Sequence, residues 1–202
     1  MAGETHLAVG VASVLAITQP TTLRGVVLAI GTGAIGAVIS DIDVGSSGSR
    51  KGADKVIALT GLVTILIFCA DYFLHTGIWN RMVQKQGIPE ILIGMLLFVG
   101  TCIFGMEQPH RTFMHSLLAL LMLEIALNIM MPSAVVYFGI GFLSHIITDF
   151  FNFKKVRVFY PCKKGICFKM FHACGLANSI FLGIGIILSI YEIFVLVILK
   201  KL

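Results

Sequence analysis

The chain reads as all-α: a polytopic membrane helical bundle of about six to seven hydrophobic helices. Apolar residues make up 57% of its 202 residues and charged residues only 12%, against about 45–50% and about 25% in soluble domains. Mean hydropathy is +0.97, too high for a surface that faces water throughout. The apolar residues are gathered into runs separated by small charged clusters, and glycines recur inside the runs, as they do where helices approach closely in lipid. These features exclude a disordered chain, a nucleic-acid-binding domain and a secreted disulfide scaffold.

In chain order the runs fall near 7–18, 25–40, 56–74, 90–106, 115–131, 133–150 and 176–198. The first opens on Thr5-His6-Leu7, with Glu4 and no Lys or Arg ahead of it, so it lacks the basic lead of a cleaved signal peptide. The second carries Gly31, Gly33 and Gly36 and closes on Asp41-Ile42-Asp43. The third holds Asp71 near its end, with His75 just beyond it. His110 and His115 introduce the fifth, and His145 and Asp149 close the sixth, ahead of a basic loop at 151–175. Several runs are shorter than the roughly 20 residues of an upright crossing, so some are expected to span part of the bilayer or to pack inside the bundle. No repeat or long linker divides the chain, which predicts one domain over 1–202. The five cysteines form no CxxC pair, and Cys162 and Cys167 read as free thiols.

If each run crosses once, the N-terminus, 41–55, 107–114 and 151–175 share one membrane face. Ten of the 15 lysines and arginines lie there, which makes that face cytoplasmic by the positive-inside rule. The same alternation brings His6, Asp41, Asp43, His110, His115, His145 and Asp149 to that face. Asp71 and His75 share an i, i+4 spacing but fall on the opposite face. His172 lies on the right side without a partner at ligand spacing.

His145 and Asp149 leave the same side of a helix one turn apart, so an imidazole nitrogen and a carboxylate oxygen can reach one ion or bridge two. Pro109 places His110 in a loop and His115 on the first turns of the next helix. Asp41 and Asp43 point apart unless the backbone turns there, so one is a ligand and the other an orienting group, or they serve two ions. Ionisable groups in so apolar a chain are costly and mostly functional. Four His and three Asp suit two or three Zn²⁺-like ions, since mixed nitrogen and oxygen donors disfavour Mg²⁺ or Ca²⁺.

These stretches bring a family into view. Thr5-His6-Leu7, the Gly36–Asp43 segment, His110-Arg111 with His115-Ser116-Leu117-Leu118, and Gly141–Asp149 resemble, in order, the YdjM-type membrane-bound metal-dependent hydrolases. Phe159-Tyr160-Pro161 is similar to the aromatic-Pro element that follows. The resemblance covers roughly residues 1–165, with Ser40 and Met114 standing where the family usually has Pro and Thr. That family is grouped with the zinc-dependent phospholipases C, all-helical enzymes that cleave phosphoesters with several zinc ions. The resemblance therefore implies a phospholipase C-like helical core in a prokaryotic plasma (inner) membrane. It implies metal ligation by His6, Asp41, His110, His115, His145 and Asp149, with Asp43 as ligand or orienting group.

The expected chemistry is hydrolysis of a phosphoester, small or lipid-linked, by metal-activated water at the cytoplasmic interface. Asp43 or Asp149 would take the water's proton, and Arg111 would hold the substrate phosphate. The expected partners are membrane lipids and that phosphoester, not nucleic acid. The competing reading is a metal or proton transporter, or a non-catalytic structural membrane protein with a metal site. A transporter calls for ionisable groups near the bilayer midplane, where this sequence offers little beyond Glu124, Asn128 and Glu192.

Overall fold

The computed structural model describes residues 2–45, 87–172 and 175–199. Six α-helices form within them: α1 Gly3–Thr18, α2 Leu23–Ile39, α3 Ile88–Met106, α4 Leu117–Met130, α5 Val135–Phe150 and α6 Leu176–Phe194. Among the described residues there is no β-strand, only isolated bridges pairing Asn152 with Phe171 and Val156 with Ile166. The fold is thus all-helical, and six of the seven apolar runs appear as helices. The run at 56–74, with Asp71 and His75 around its end, lies outside the described residues.

Local chemistry sets the helix ends. Thr22 and Ser116 cap α2 and α4, their hydroxyls accepting the Gly25 and Ala119 amides at 3.1 Å. α1 stops where Gln19 turns left-handed at φ 39° and returns its amide to the Leu15 carbonyl. After α2 the chain tightens into a 3₁₀ turn at Ser40–Asp43, and another 3₁₀ turn, Phe113–His115, precedes α4. His115 therefore stands ahead of α4 rather than on its first turns, because Ser116 caps the helix behind it.

Three segments among the described residues are long and apolar enough to cross a membrane: Leu23–Asp43, Pro132–Phe150 and Leu176–Val197. The helices α1, α3 and α4 are shorter and also apolar. Small residues let backbones meet. Gly36 of α2 sits against the Phe138 carbonyl and Gly141 of α5 against the Gly33 carbonyl, each so close that a Cβ would collide with backbone. A Cβ added at Gly10 of α1 would strike the Ala37 Cβ of α2, and one added at Gly185 of α6 would come within 2.9 Å of the backbone of Ala8 and Val9. Phe113, Met114, Leu123, Phe138, Phe142 and Ile146 fill the buried core nearby. Leu96 and Ile103 of α3 and Ile187 and Ile190 of α6 are exposed, as side chains facing lipid would be.

The loop after α5 folds back over the 109–117 segment. The Arg157 amide donates to the Arg111 carbonyl at 3.0 Å, and the Leu117 amide to the Val158 carbonyl at 2.9 Å. Tyr160 meets Phe113 edge to face at 5.5 Å. This stitching closes one end of the bundle.

Candidate metal centre

At that end the starts of α1 and α4 meet the finishes of α2 and α5. His6 comes from the first turn of α1, Asp41 and Asp43 from the 3₁₀ turn after α2, and His145 and Asp149 from the last turns of α5. His115 ends the 3₁₀ turn before α4, and His110 lies in the loop behind α3. All seven residues singled out in the sequence are brought together. His6, His115, His145 and Asp149 are almost wholly buried.

Three overlapping groups could hold a metal ion: His6, His145 and Asp149; Asp41, His115 and His145; Asp43, His110 and His115. The middle group is the most regular. Asp41 Oδ1 lies 3.6 Å from His115 Nε2 and 3.5 Å from His145 Nε2, and the two Nε2 atoms are 3.3 Å apart. Donors placed about 2.0–2.2 Å from a tetrahedral Zn²⁺ stand about 3.3–3.6 Å from one another. The triangle therefore has the edges of a zinc coordination face.

The ring nitrogens are oriented to match. His145 Nδ1 donates to the Ala37 carbonyl at 2.6 Å, so a neutral His145 presents a bare Nε2 to the centre. Thr148 gives its single hydroxyl proton to a carbonyl of its own helix, Ser144 or His145, both at 2.9 Å. Towards His6 it can then only accept, which puts the proton on His6 Nδ1 at 2.8 Å and leaves Nε2 bare, 3.3 Å from Asp149 Oδ1. His6 and His145 stack with ring centroids 3.8 Å apart. Buried His115 Nδ1 has no hydrogen-bond partner among the described residues, its nearest carboxylate oxygen being Asp43 Oδ2 at 3.6 Å. Bare imidazole nitrogens set against carboxylate oxygens in a buried space fit a bound cation.

The 3₁₀ turn resolves where the two aspartates point. They address opposite edges of one imidazole, Asp41 facing His115 Nε2 and Asp43 facing His115 Nδ1. Asp43 also accepts His110 Nδ1 at 2.8 Å and the Arg111 amide at 3.3 Å. Burial disfavours a charged His115, but the carboxylates of Asp41 and Asp43, aided by Asp149, outweigh it and push its pKa up to about 9.

Arg111 is buried at φ 66°, a left-handed conformation uncommon outside glycine. Its Nη2 pairs with Asp149 Oδ2 at 3.0 Å and its Nη1 donates to the Lys154 carbonyl at 2.9 Å. Asn152 donates to Asp149 Oδ1 at 2.7 Å. Sequence reasoning missed Thr148 and Asn152, although each lies three residues beyond a singled-out ligand, on the same helix face or its extension. His172 stands outside the three groups, its exposed ring stacked on Phe153 at 4.4 Å. Cys102, Cys162 and Cys167 are free thiols.

Fold and site define an integral membrane protein, all-helical, with clustered His and Asp side chains suited to metal at one end of its bundle. The chain belongs to the YdjM inner membrane protein family, whose family model matches residues 1–200. No match to a curated protein or to a solved structure was found.

Proposed function

We infer that the protein is a membrane-bound, metal-dependent phosphoesterase acting at the cytoplasmic face on a small or lipid-linked phosphoester. The observation that carries this reading is the Asp41–His115–His145 triangle, whose edges of 3.3–3.6 Å suit a four-coordinate transition ion, with no fourth protein donor required. Two zinc-like ions suit the donor set. Asp41, His115 and His145 would hold one, and His6 and Asp149 would hold the other. Asp149 reaches both, with Oδ1 towards His6 and Oδ2 3.6 Å from His115 Nε2. When bound, such ions supply water acidified to near-neutral pKa and polarise a phosphoryl oxygen.

The chain's own groups divide the remaining work. A neutral His115 with Nε2 on an ion carries its proton on Nδ1, which faces Asp43, so Asp43 acts as the orienting carboxylate for both His115 and His110. His110 is then a proton carrier rather than a ligand: its side chain is 33% exposed, and its Nδ1 proton is held by Asp43 at 2.8 Å. Asp149 is held by His6, Arg111 and Asn152, and Asp43 by His110, His115 and the Arg111 amide. The proton would therefore pass to His110 Nε2, which accepts a long bond from Arg111 Nε at 3.4 Å. Arg111 serves as a positioning residue for Asp149, balancing its charge. The sequence resemblance implies the same kind of donor set, His with acidic side chains.

Elemental analysis joined to a phosphoester panel tests it. Purified protein should hold about two equivalents of transition metal and release phosphate from at least one substrate. His145→Ala should lose metal and activity together. Folded wild-type protein that takes up no metal sinks the reading.

A further inference from the structure

Beside the metal centre lies a cleft of about 270 Å³ whose walls carry His110, Arg111, Lys155, Arg157, Lys163 and Gly165. His110 and Arg111 belong to both places, since His110 holds Asp43 and Arg111 holds Asp149. The opposite wall is shaped by the Val156–Ile166 bridge. Val156 is wholly buried, so its neighbours Lys155 and Arg157 turn the other way, towards the cleft. A Cβ at Gly165 would meet the Lys155 Cβ at 2.9 Å and the Val156 carbonyl at 3.2 Å, so glycine keeps the floor open. Among the described residues no Asp or Glu lines the cleft, and no carboxylate pairs with Lys155, Arg157 or Lys163. Three cations that no described carboxylate neutralises, set in a concave space, suit a multiply charged anion.

We propose that this cleft binds a second phosphate group of the substrate, so that the substrate class is a phosphoester carrying two phosphates, as a diphosphate does. The identity of the partner in catalysis rests on the phosphoesterase reading; the anion site itself rests on the cleft. One phosphate meets the metal centre and the other sits among Lys155, Arg157 and Lys163, with His110 and Arg111 at the junction.

Isothermal titration of the full chain in phosphatidylcholine nanodiscs tests this with methylenediphosphonate, which cannot be hydrolysed, and methylphosphonate. Wild type should bind the diphosphonate at least about tenfold more tightly than the monophosphonate. In Lys155→Gln/Lys163→Gln that preference should shrink to about twofold or less, with metal content unchanged. Lys164→Gln removes the same charge from the same loop outside the cleft and should keep the preference. Equal binding of the two phosphonates by wild type, an undiminished preference in the double variant, or an equal loss in Lys164→Gln overturns the proposal. Competition by phosphatidic acid added to the nanodisc assigns the site to a lipid-borne phosphate; unchanged diphosphonate binding assigns it to a water-soluble one, and both support the cleft. Diphosphonate preference without hydrolysis of any substrate supports the cleft and tells against the phosphoesterase reading.

Discussion

At the scale of single residues, the protonation of His115 sets the behaviour of the centre. Its pKa without metal is about 9, above the ordinary 6.5. The protonated imidazole therefore contributes its full stability below about pH 6.5, and that contribution is lost as pH rises through about 9. A divalent ion needs the bare nitrogen, so its affinity runs the other way. The melting temperature of metal-stripped protein should fall between pH 7 and 9 while zinc affinity rises, and His115→Gln should flatten both slopes. A second residue prediction concerns Thr148, which fixes the His6 tautomer. Thr148→Val should weaken metal binding by roughly 10–100-fold while leaving helix content intact, as read by competition with a chromogenic chelator. The candidate ligands, which the structure brings together, were legible in the sequence because His and Asp stand out in an apolar chain at helix-end positions. Thr148, Asn152 and the Ala37 carbonyl were not. Threonine and asparagine are common on helices, and a carbonyl acceptor has no residue type to betray it. The direction of Asp41 and Asp43 also escaped, because a 3₁₀ turn after a glycine-rich helix leaves no distinct pattern.

At the scale of elements, the α2–α5 contact does the positioning. Gly36 and Gly141 admit partner carbonyl groups where a Cβ would collide with backbone. Gly141→Ala should thus push α2 away from α5 and separate Asp41 from His145, at a cost of about 1–3 kcal/mol. Its measurable result is lower thermal stability together with lost metal. Gly31 offers the contrast, because a Cβ added there would meet nothing within 4 Å: Gly31→Ala should leave both unchanged. The apolar runs disclosed these helices within a few residues, because hydropathy and length are read directly from composition along the chain. Which glycines face a carbonyl, and which face open space, depends on helix crossing and could not be read from spacing alone.

At the scale of the whole molecule, sidedness is open to direct measurement. Cys162 is exposed in the basic loop beside the candidate metal centre. A variant keeping only this cysteine should react with a membrane-impermeant maleimide after permeabilisation and stay unmodified in intact cells. Modification from outside would reverse the orientation inferred from the lysine and arginine distribution. The single-crossing alternation brought the right residues together even though only three described segments have full crossing length, because it depends on which helix ends coincide, not on how deep each helix runs.

The close seating of α2 on α5 has one further consequence. With carbonyl oxygens lodged in the glycine gaps, these two helices leave no room for an acyl tail to slide between them at Gly36 and Gly141. The cleft past Lys155 and Arg157 then offers a substrate of the proposed enzyme an approach from the loop side. A lipid would keep its tails in the leaflet and dip only its headgroup, and water would come and go by the same threshold.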